Sequence, residues 1–130
     1  MTTAEQTAMR RATKAFIDAD PTQITLYPYP TVADATGALV RTVGAPRAPQ
    51  TFKMIPMTYD QRPTVTTGGV ERTLDYTLLG EWDAVVEVWD IWYHPDQPND
   101  YYMVVSFADG HGYETKALCE RHTGRPVEVE

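Results

Sequence analysis

Leu-Leu-Gly-Glu-Trp-Asp-Ala-Val-Val-Glu-Val-Trp-Asp-Ile-Trp-Tyr, residues 78–93, is the stretch that decides the fold. From residue 84 onward it is dense in Val, Ile and Trp, which suit a pleated, half-buried surface. The odd and the even positions of residues 84–93 are both mostly apolar, so we predict a strand that is covered on both faces. Such a strand is typical of a small closed barrel, or of a sheet with a helix on its back.

Two further strands are expected directly after this one. Residues 101–107 alternate between two faces, and residues 113–119 place Ala117 and Cys119 on one face. The connections between these runs are rich in Pro, Asp, Asn and Gly, the residue types that form turns. We therefore predict a three-stranded antiparallel meander at the centre of a mainly β fold, a small antiparallel barrel or sandwich.

An N-terminal helix is predicted over residues 5–17, with Thr2 or Thr3 as its cap and Pro21 shortly after its end. Small and apolar residues recur near helical spacing and define the packed side. The opposite side is expected to carry the basic residues Arg10, Arg11 and Lys14. The helix is either a lid packed on the barrel or a docking helix whose basic face meets an acidic partner surface.

Between the helix and the meander the sequence predicts further strands at residues 23–29, 39–43, 50–57 and 73–79. The first two are expected to pair as a hairpin across a turn at residues 33–37. Two prolines at the end of the first strand mark an edge or a strand terminus.

Residues 58–72 offer almost nothing to bury and form a connection longer than is usual in a compact domain. Gly68-Gly69 is a candidate hairpin tip, flanked on both sides by β-branched residues. The segment is either a surface loop without a partner or a projecting hairpin that contacts another molecule. The second interpretation is favoured, since β-branched residues suit strands that have a neighbour.

Length and composition indicate one domain over residues 1–130, with the helical segment at 1–20, the long loop at 58–72 and a C-terminal tail at 121–130. The formal net charge of −7 argues against a protein that grips nucleic acid through its phosphates. A single cysteine excludes an internal disulfide. No run is long and apolar enough to suggest a membrane span, so the expected location is the cytosol, or a particle assembled there.

Catalytic and metal chemistry is not predicted. On a strand, Glu87 and Asp90 would face opposite ways and could not flank one bond. Ser106 and Cys119 lack the context of a nucleophile. The turn residues that could in principle gather around a metal show no specific spacing and are His94, Asp96, Asp100 and His111. We expect no enzyme activity, no cofactor and no metal.

The aromatic surplus of three Trp and eight Tyr raises the alternative of stacking against bases or sugars. The residues around Trp82, Trp89 and Trp92 are acidic rather than basic, which disfavours nucleic acid. Packing in the core and at interfaces is the favoured role.

Several short runs together give the chain a resemblance to a known family. They are Phe-Ile-Asp-Ala-Asp-Pro at 16–21, Ile-Thr-Leu at 24–26, Gly-Ala-Pro-Arg-Ala-Pro-Gln-Thr-Phe at 44–52, Leu-Leu-Gly-Glu-Trp-Asp-Ala at 78–84, and the strands at 101–105 and 113–117. In order and spacing this pattern resembles the head-to-tail stopper, or head-closure, proteins of long-tailed siphovirus-type phages. The resemblance covers roughly residues 16–120.

The resemblance implies a small β-barrel with an N-terminal element and a long loop. In this family copies form a ring below the portal and adaptor, the loops reach into the channel to hold packaged DNA without reading its sequence, and the tail terminator or tail tube docks beneath. A ring of six copies is favoured over twelve. The expected location is the virion neck, assembled in the host cytoplasm, with no membrane partner. Alternatives are a tail terminator or adaptor of the same neck and, from another class, a small ligand- or carbohydrate-binding barrel.

Carried over to this chain, the resemblance makes the long loop the channel element. The candidate channel residues are Arg62, Thr64, Val65, Thr66, Thr67, Gly68, Gly69, Val70 and Glu71. The candidate partner contacts are Arg10, Arg11, Lys14, Trp82 and Asp83.

Overall fold

A six-stranded antiparallel sheet, curled into a nearly closed barrel, forms the centre of the molecule. The computed structural model describes residues 2–57, 64–67, 69–97 and 99–124. Strand residues far outnumber helix residues, so the predicted mainly β fold with one N-terminal helix is confirmed. The elements in chain order are α1 (Thr3–Asp18), β1 (Thr22–Ile24), β2 (Thr31–Ala33), β3 (Leu39–Arg41), β4 (Gln50–Pro56), β5 (Thr64–Thr67), β6 (Val70–Thr73), β7 (Tyr76–Glu81), β8 (Ile91–Tyr93), β9 (Asp100–Ala108) and β10 (Glu114–Thr123).

Helix α1 begins with a capping box, which confirms Thr2 as the cap. The Thr2 hydroxyl accepts a hydrogen bond from the Glu5 backbone N–H at 3.1 Å, and the Glu5 carboxylate accepts one from the Thr2 N–H at 3.4 Å. The helix buries Thr13 and Ile17 and contacts β7 and β4. It therefore covers one side of the barrel, as the predicted lid would.

The strand order β1-β4-β7-β10-β9-β8 places β1 and β8 at the two ends of the sheet. The chain just after β1 returns to β8, where Tyr27 and Ile91 exchange two backbone hydrogen bonds of 2.9 Å. This bridge joins the two edges, so little of either edge is left open. Strands β8, β9 and β10 are consecutive antiparallel neighbours, which confirms the predicted meander.

The barrel interior is filled by aromatic and aliphatic side chains. The indole of Trp92 is fully buried, stacks on the Tyr102 ring with 4.6 Å between centroids, and donates its N–H to the Cys119 sulfur at 3.4 Å. Alternating residues of β9 and β10 point inward, as the sequence pattern predicts. The other members of this buried cluster are Ile24, Leu26, Phe52, Leu78, Val104 and Ala117.

Burial in this core leads to a prediction for alkaline pH. Burial raises the pKa of the Cys119 thiol from 9.0 to about 12 and that of the Tyr102 hydroxyl from 10.0 to about 12. Above pH 9 the unfolded chain releases the Cys119 proton while the folded chain keeps it, so stability falls as pH rises. We expect the Cys119 contribution to lower the free energy of unfolding by about 1 kcal/mol between pH 8 and pH 10.

Urea denaturation at the two pH values checks this, with Cys119→Ala as the matched variant. The free energy of unfolding of the variant should decrease less between pH 8 and pH 10, because the thiol no longer contributes and only the smaller contribution of Tyr102 remains. An equal decrease in both proteins would show that the thiol ionises as easily in the folded chain as in the unfolded one.

The predicted strand over residues 84–93 is wrong for residues 84–90, and only β8 is regular. The Gln50 amide exchanges hydrogen bonds with both backbone groups of Val85, at 2.8 and 2.9 Å. The Asp90 carboxylate accepts the Glu87 N–H at 3.0 Å. Polar side chains thus occupy backbone groups of Val85 and Glu87 that a sheet ladder would need, and within residues 84–90 the backbone returns to β9 at Trp89 and Asp90, which bond to Val104.

The predicted hairpin between residues 23–29 and 39–43 is also wrong. Strand β1 pairs with β4, and β3 pairs instead with β2, a strand that the sequence pattern does not predict. Prolines 28 and 30 interrupt the extended run after β1, and the tight turn near residues 34–37 can join only the strands directly beside it. A second, separate hairpin results.

Two element boundaries differ from their predictions. The strand expected at residues 73–79 is divided, because Leu74 turns into the core and the Asp75 N–H donates to the Cys119 carbonyl at 2.8 Å between β6 and β7. Residues 121–123, expected to belong to a C-terminal tail at 121–130, are instead part of β10, which pairs with β9 through Thr123. Residues 125–130 lie outside the described part of the chain.

Candidate assembly surface

The predicted projecting element is a β-hairpin formed by β5 and β6. Among the described residues these strands make a two-stranded sheet of their own, with Thr64 opposite Thr73 and Thr67 opposite Val70. Gly69 has φ 79° at the turn, a conformation that glycine adopts without strain. Thr64 to Thr67 thus lie in β5 and Val70 and Glu71 in β6, while the candidates Arg62 and Gly68 lie outside the described residues.

The hairpin is anchored at its root and exposed toward its tip. Arg72, near the end of β6, forms an ion pair of 2.8 Å with Glu120 of β10, and both side chains are mostly buried. Leu74, just beyond β6, is buried. In contrast, Val70 beside the turn is 53% exposed and Glu71 is exposed. Because an isolated two-stranded hairpin is marginally stable in water, its outer part is suited to contact another molecule.

The second hairpin, formed by β2 and β3, is more exposed still. Every residue from 31 to 39 is exposed, including Leu39 at 75% and Val32. Its turn is built by Asp34, whose carboxylate accepts hydrogen bonds from the Thr36 hydroxyl and N–H and from the Ala38 N–H. These bonds, first of all that from the Thr36 hydroxyl, lower the pKa of the Asp34 carboxyl. The run Asp-Ala-Thr-Gly predicts this turn, but nothing in the sequence indicates that the β2–β3 hairpin is exposed.

The predicted partner contacts do not form one exposed basic face. Arg10 packs inward: its guanidinium lies 3.8 Å from the centroid of the Trp82 indole, and its Nε donates to the Gly112 carbonyl at 3.1 Å. Residues 10, 13 and 17 share one helical face, so Arg10 borders the buried stripe rather than opposing it. Lys14 pairs with Asp18 at 2.7 Å.

Trp82 remains 49% exposed although Arg10 covers part of it. Arg11 and Asp83 are exposed as expected. Of the predicted contact set, the accessible part is therefore Trp82 with Asp83 and, on the helix, Arg11.

Glu87 and Asp90, the carboxylates considered for catalysis, both form ion pairs with Arg47. Asp90, 2% exposed, receives hydrogen bonds from Arg47 Nε at 2.9 Å and Nη2 at 3.0 Å. Glu87 also reaches Arg47, at 3.4 Å. The prediction that Glu87 and Asp90 face opposite ways is wrong, because residues 84–90 are not a strand. These contacts raise the pKa of Arg47, the Asp90 hydrogen bond first.

The turn residues considered for metal binding have separate structural partners. His94 is buried, its Nδ1 accepts the Asp96 N–H at 3.0 Å, and its Nε2 lies 3.4 Å from the Tyr76 hydroxyl. Asp100 pairs with Arg121. Within the described residues no group of three or more His, Cys, Asp or Glu side chains is placed to hold a metal ion. Nor does this part of the chain contain a helix long and apolar enough to cross a membrane.

A cleft of about 270 Å³ lies beside the second hairpin and bears on the ligand-binding alternative. It is lined by residues 28–31, Arg41 and residues 87–90, including Trp89. The Arg41 guanidinium lies over the Trp89 ring, 4.5 Å from its centroid, and so occupies a face that a sugar would use. Trp92, another of the three tryptophans, is fully buried and cannot contact a ligand at the surface.

The architecture is therefore a barrel from which two hairpins extend, one predicted and one not. No model of a known protein family and no curated protein matches this chain.

Proposed function

We propose that this protein is a structural subunit of a phage neck ring, a head-to-tail stopper that closes the DNA channel after packaging and provides the surface on which the tail docks. The observation that carries the proposal is the β5–β6 hairpin, which is anchored by Arg72 at the barrel and exposed at Val70. A barrel with an N-terminal helix and one long projecting element is also what the family resemblance implies.

The charge of the chain fits a role beside DNA that does not require tight binding. With a formal net charge of −7 the subunit repels phosphates overall, so DNA in the channel would not adhere to its wall. The hairpin offers exposed threonine side chains, Thr64 and Thr66, and its one described cation, Arg72, is neutralised by Glu120. Such a surface can block the channel sterically without sequence-specific contacts.

A ring requires that each subunit present two different surfaces to its neighbours, because heterologous contacts close by rotation. The chain offers chemically distinct exposed surfaces: the apolar hairpin β2–β3, and the side of the barrel that carries Trp82 and Asp83. We propose six copies in the ring, with the adaptor and portal above and the tail terminator or tail tube below.

Deleting residues 65–70 tests the role of the hairpin. The barrel does not depend on these residues for its sheet, so the variant should fold with an unfolding midpoint close to that of the wild type. In a phage that carries the variant, we expect filled heads that leak DNA or fail to join tails, and a large loss of infectivity. The readouts are plaque titre and negative-stain microscopy.

The matched control is Val70→Thr, which keeps the length and register of the hairpin and removes one exposed apolar group. It should keep most of the infectivity. If the deletion variant folds and infects normally, the hairpin is not the channel element.

A further inference from the structure

The roots of the two hairpins meet at one residue, Trp89. Its indole lies under the guanidinium of Arg41, the last residue of β3, and within 5.3 Å of the guanidinium of Arg72 in β6. Each hairpin therefore contributes one arginine to the same ring. Trp89 also packs on a buried cluster that contains Tyr29, just before β2, and Leu74, just after β6.

The backbone of Trp89 is held in an unusual conformation. Its φ of 76° is a left-handed value that residues with a side chain rarely adopt and that strains the backbone. The Trp89 N–H donates to the Val104 carbonyl of β9 at 2.7 Å, and the next residue, Asp90, is fixed by Arg47. The barrel thus imposes the position of the indole, and the hairpins are arranged around it.

The two arginines are also fixed away from the ring. Arg41 Nη1 donates to the Tyr29 carbonyl at 3.0 Å, and Arg72 pairs with Glu120. Neither guanidinium can shift along the indole without breaking a second interaction. A displacement of one hairpin at its root therefore moves the ring against which the other hairpin rests.

The structure assigns Trp89 as the positioning residue that fixes the β2–β3 and β5–β6 hairpins relative to each other, so that the two arms behave as one unit. A contact that another molecule makes with the exposed β2–β3 hairpin then affects the stability of the β5–β6 hairpin. This inference rests on the contacts within one subunit and holds whether or not the protein belongs to a phage neck.

Hydrogen exchange of the intact protein, followed by mass spectrometry, tests the inference. In Trp89→Gly, which removes the indole and tolerates the positive φ, we expect backbone amides of both hairpins to exchange about 5- to 30-fold faster, as the loss of two cation–ring contacts implies. The amides of β9 and β10 should keep their exchange rates. Trp82→Ala is the matched control, since it removes a second indole with an arginine over it, and both hairpins should be unaffected.

The second variant, Arg41→Gln, keeps the indole and the core. It changes only the β2–β3 side, yet amides of β5 and β6 should exchange about two- to fivefold faster, since one such contact is lost. If Arg41→Gln accelerates exchange in its own hairpin alone, the arms are independent and the inference is wrong. If Trp89→Gly accelerates exchange across the whole barrel, the residue is a core element rather than a positioning residue, and the inference is equally overturned.

Discussion

Replacing Arg47 with Ala is expected to lower the free energy of unfolding by about 3–5 kcal/mol, because it leaves a buried carboxylate without its partner. Asp90 is 2% exposed and receives two hydrogen bonds from the Arg47 guanidinium, at 2.9 and 3.0 Å. The same carboxylate holds residues 87–90 in place through the Glu87 N–H. The variant should therefore lose stability and loosen the segment that leads into β8. Urea denaturation at pH 7 measures the loss.

Two variants separate the buried charge from other effects of the substitution. Lys14→Ala removes the exposed ion pair with Asp18, which water screens, so its cost should be much smaller than that of Arg47→Ala. The double variant Arg47→Met with Asp90→Asn removes both charges but keeps an acceptor for the Glu87 N–H, so it should recover most of the loss. A cost below about 1 kcal/mol for Arg47→Ala would mean that water or another group satisfies Asp90 once the arginine is gone.

Trp92→Ala is expected to be as severe, with a loss of about 3–5 kcal/mol. The indole is completely buried, stacks on Tyr102, and makes an edge contact with Tyr76 at 6.0 Å between centroids. It also donates its N–H to the Cys119 sulfur. Its removal leaves a large cavity in a closed barrel that cannot collapse freely. With a urea dependence near 1.5 kcal/mol/M, a loss of 3 kcal/mol moves the unfolding midpoint by about 2 M.

Trp82→Ala is the natural comparison, because Trp82 is about half exposed and lies on the outside of the barrel. It should cost no more than about 1 kcal/mol, the order of a single exposed cation–ring contact. If both tryptophan variants lose the same stability, the burial assigned to Trp92 is incorrect, and with it the packing of the barrel interior.

The elements that the sequence predicted well are those whose signals are local. The helix and its cap are encoded within one turn, where Thr2 and Glu5 bond each other. The alternation of residues 101–107 specified β9, and turn residues on either side specified the meander. Gly68-Gly69 between β-branched residues was enough to indicate the β5–β6 hairpin.

The errors arise where distant side chains compete with local preference. Residues 84–90 have the composition of a strand, but Gln50, which is 35 positions away in the chain, binds the backbone of Val85. Similarly, Arg47, which is 43 positions away in the chain, donates a hydrogen bond to the Asp90 carboxylate. No property of the segment itself reveals these partners. The β2 strand was missed for a simpler reason, since three residues after a proline carry too little pattern to be recognised.

Only part of the assembly surface was accessible to sequence reasoning. The composition of the long polar loop was enough to predict it. The ion pair between Arg72 and Glu120, which anchors the hairpin to the barrel, could not be predicted from the sequence. The helix pattern placed Arg10 on the outer side, whereas its long side chain reaches back over Trp82. The left-handed backbone at Trp89 is set by tertiary contacts, so the junction of the two hairpins emerges only from the folded structure.

The most direct test of the proposed function is microscopy of particles made when the gene for this protein is inactivated in a long-tailed phage that carries it. The proposal predicts separate tails of normal length beside heads that were filled and then lost their DNA. Tails of abnormal length would instead indicate a tail terminator. Intact, infectious particles would contradict the proposal that the protein acts in the neck.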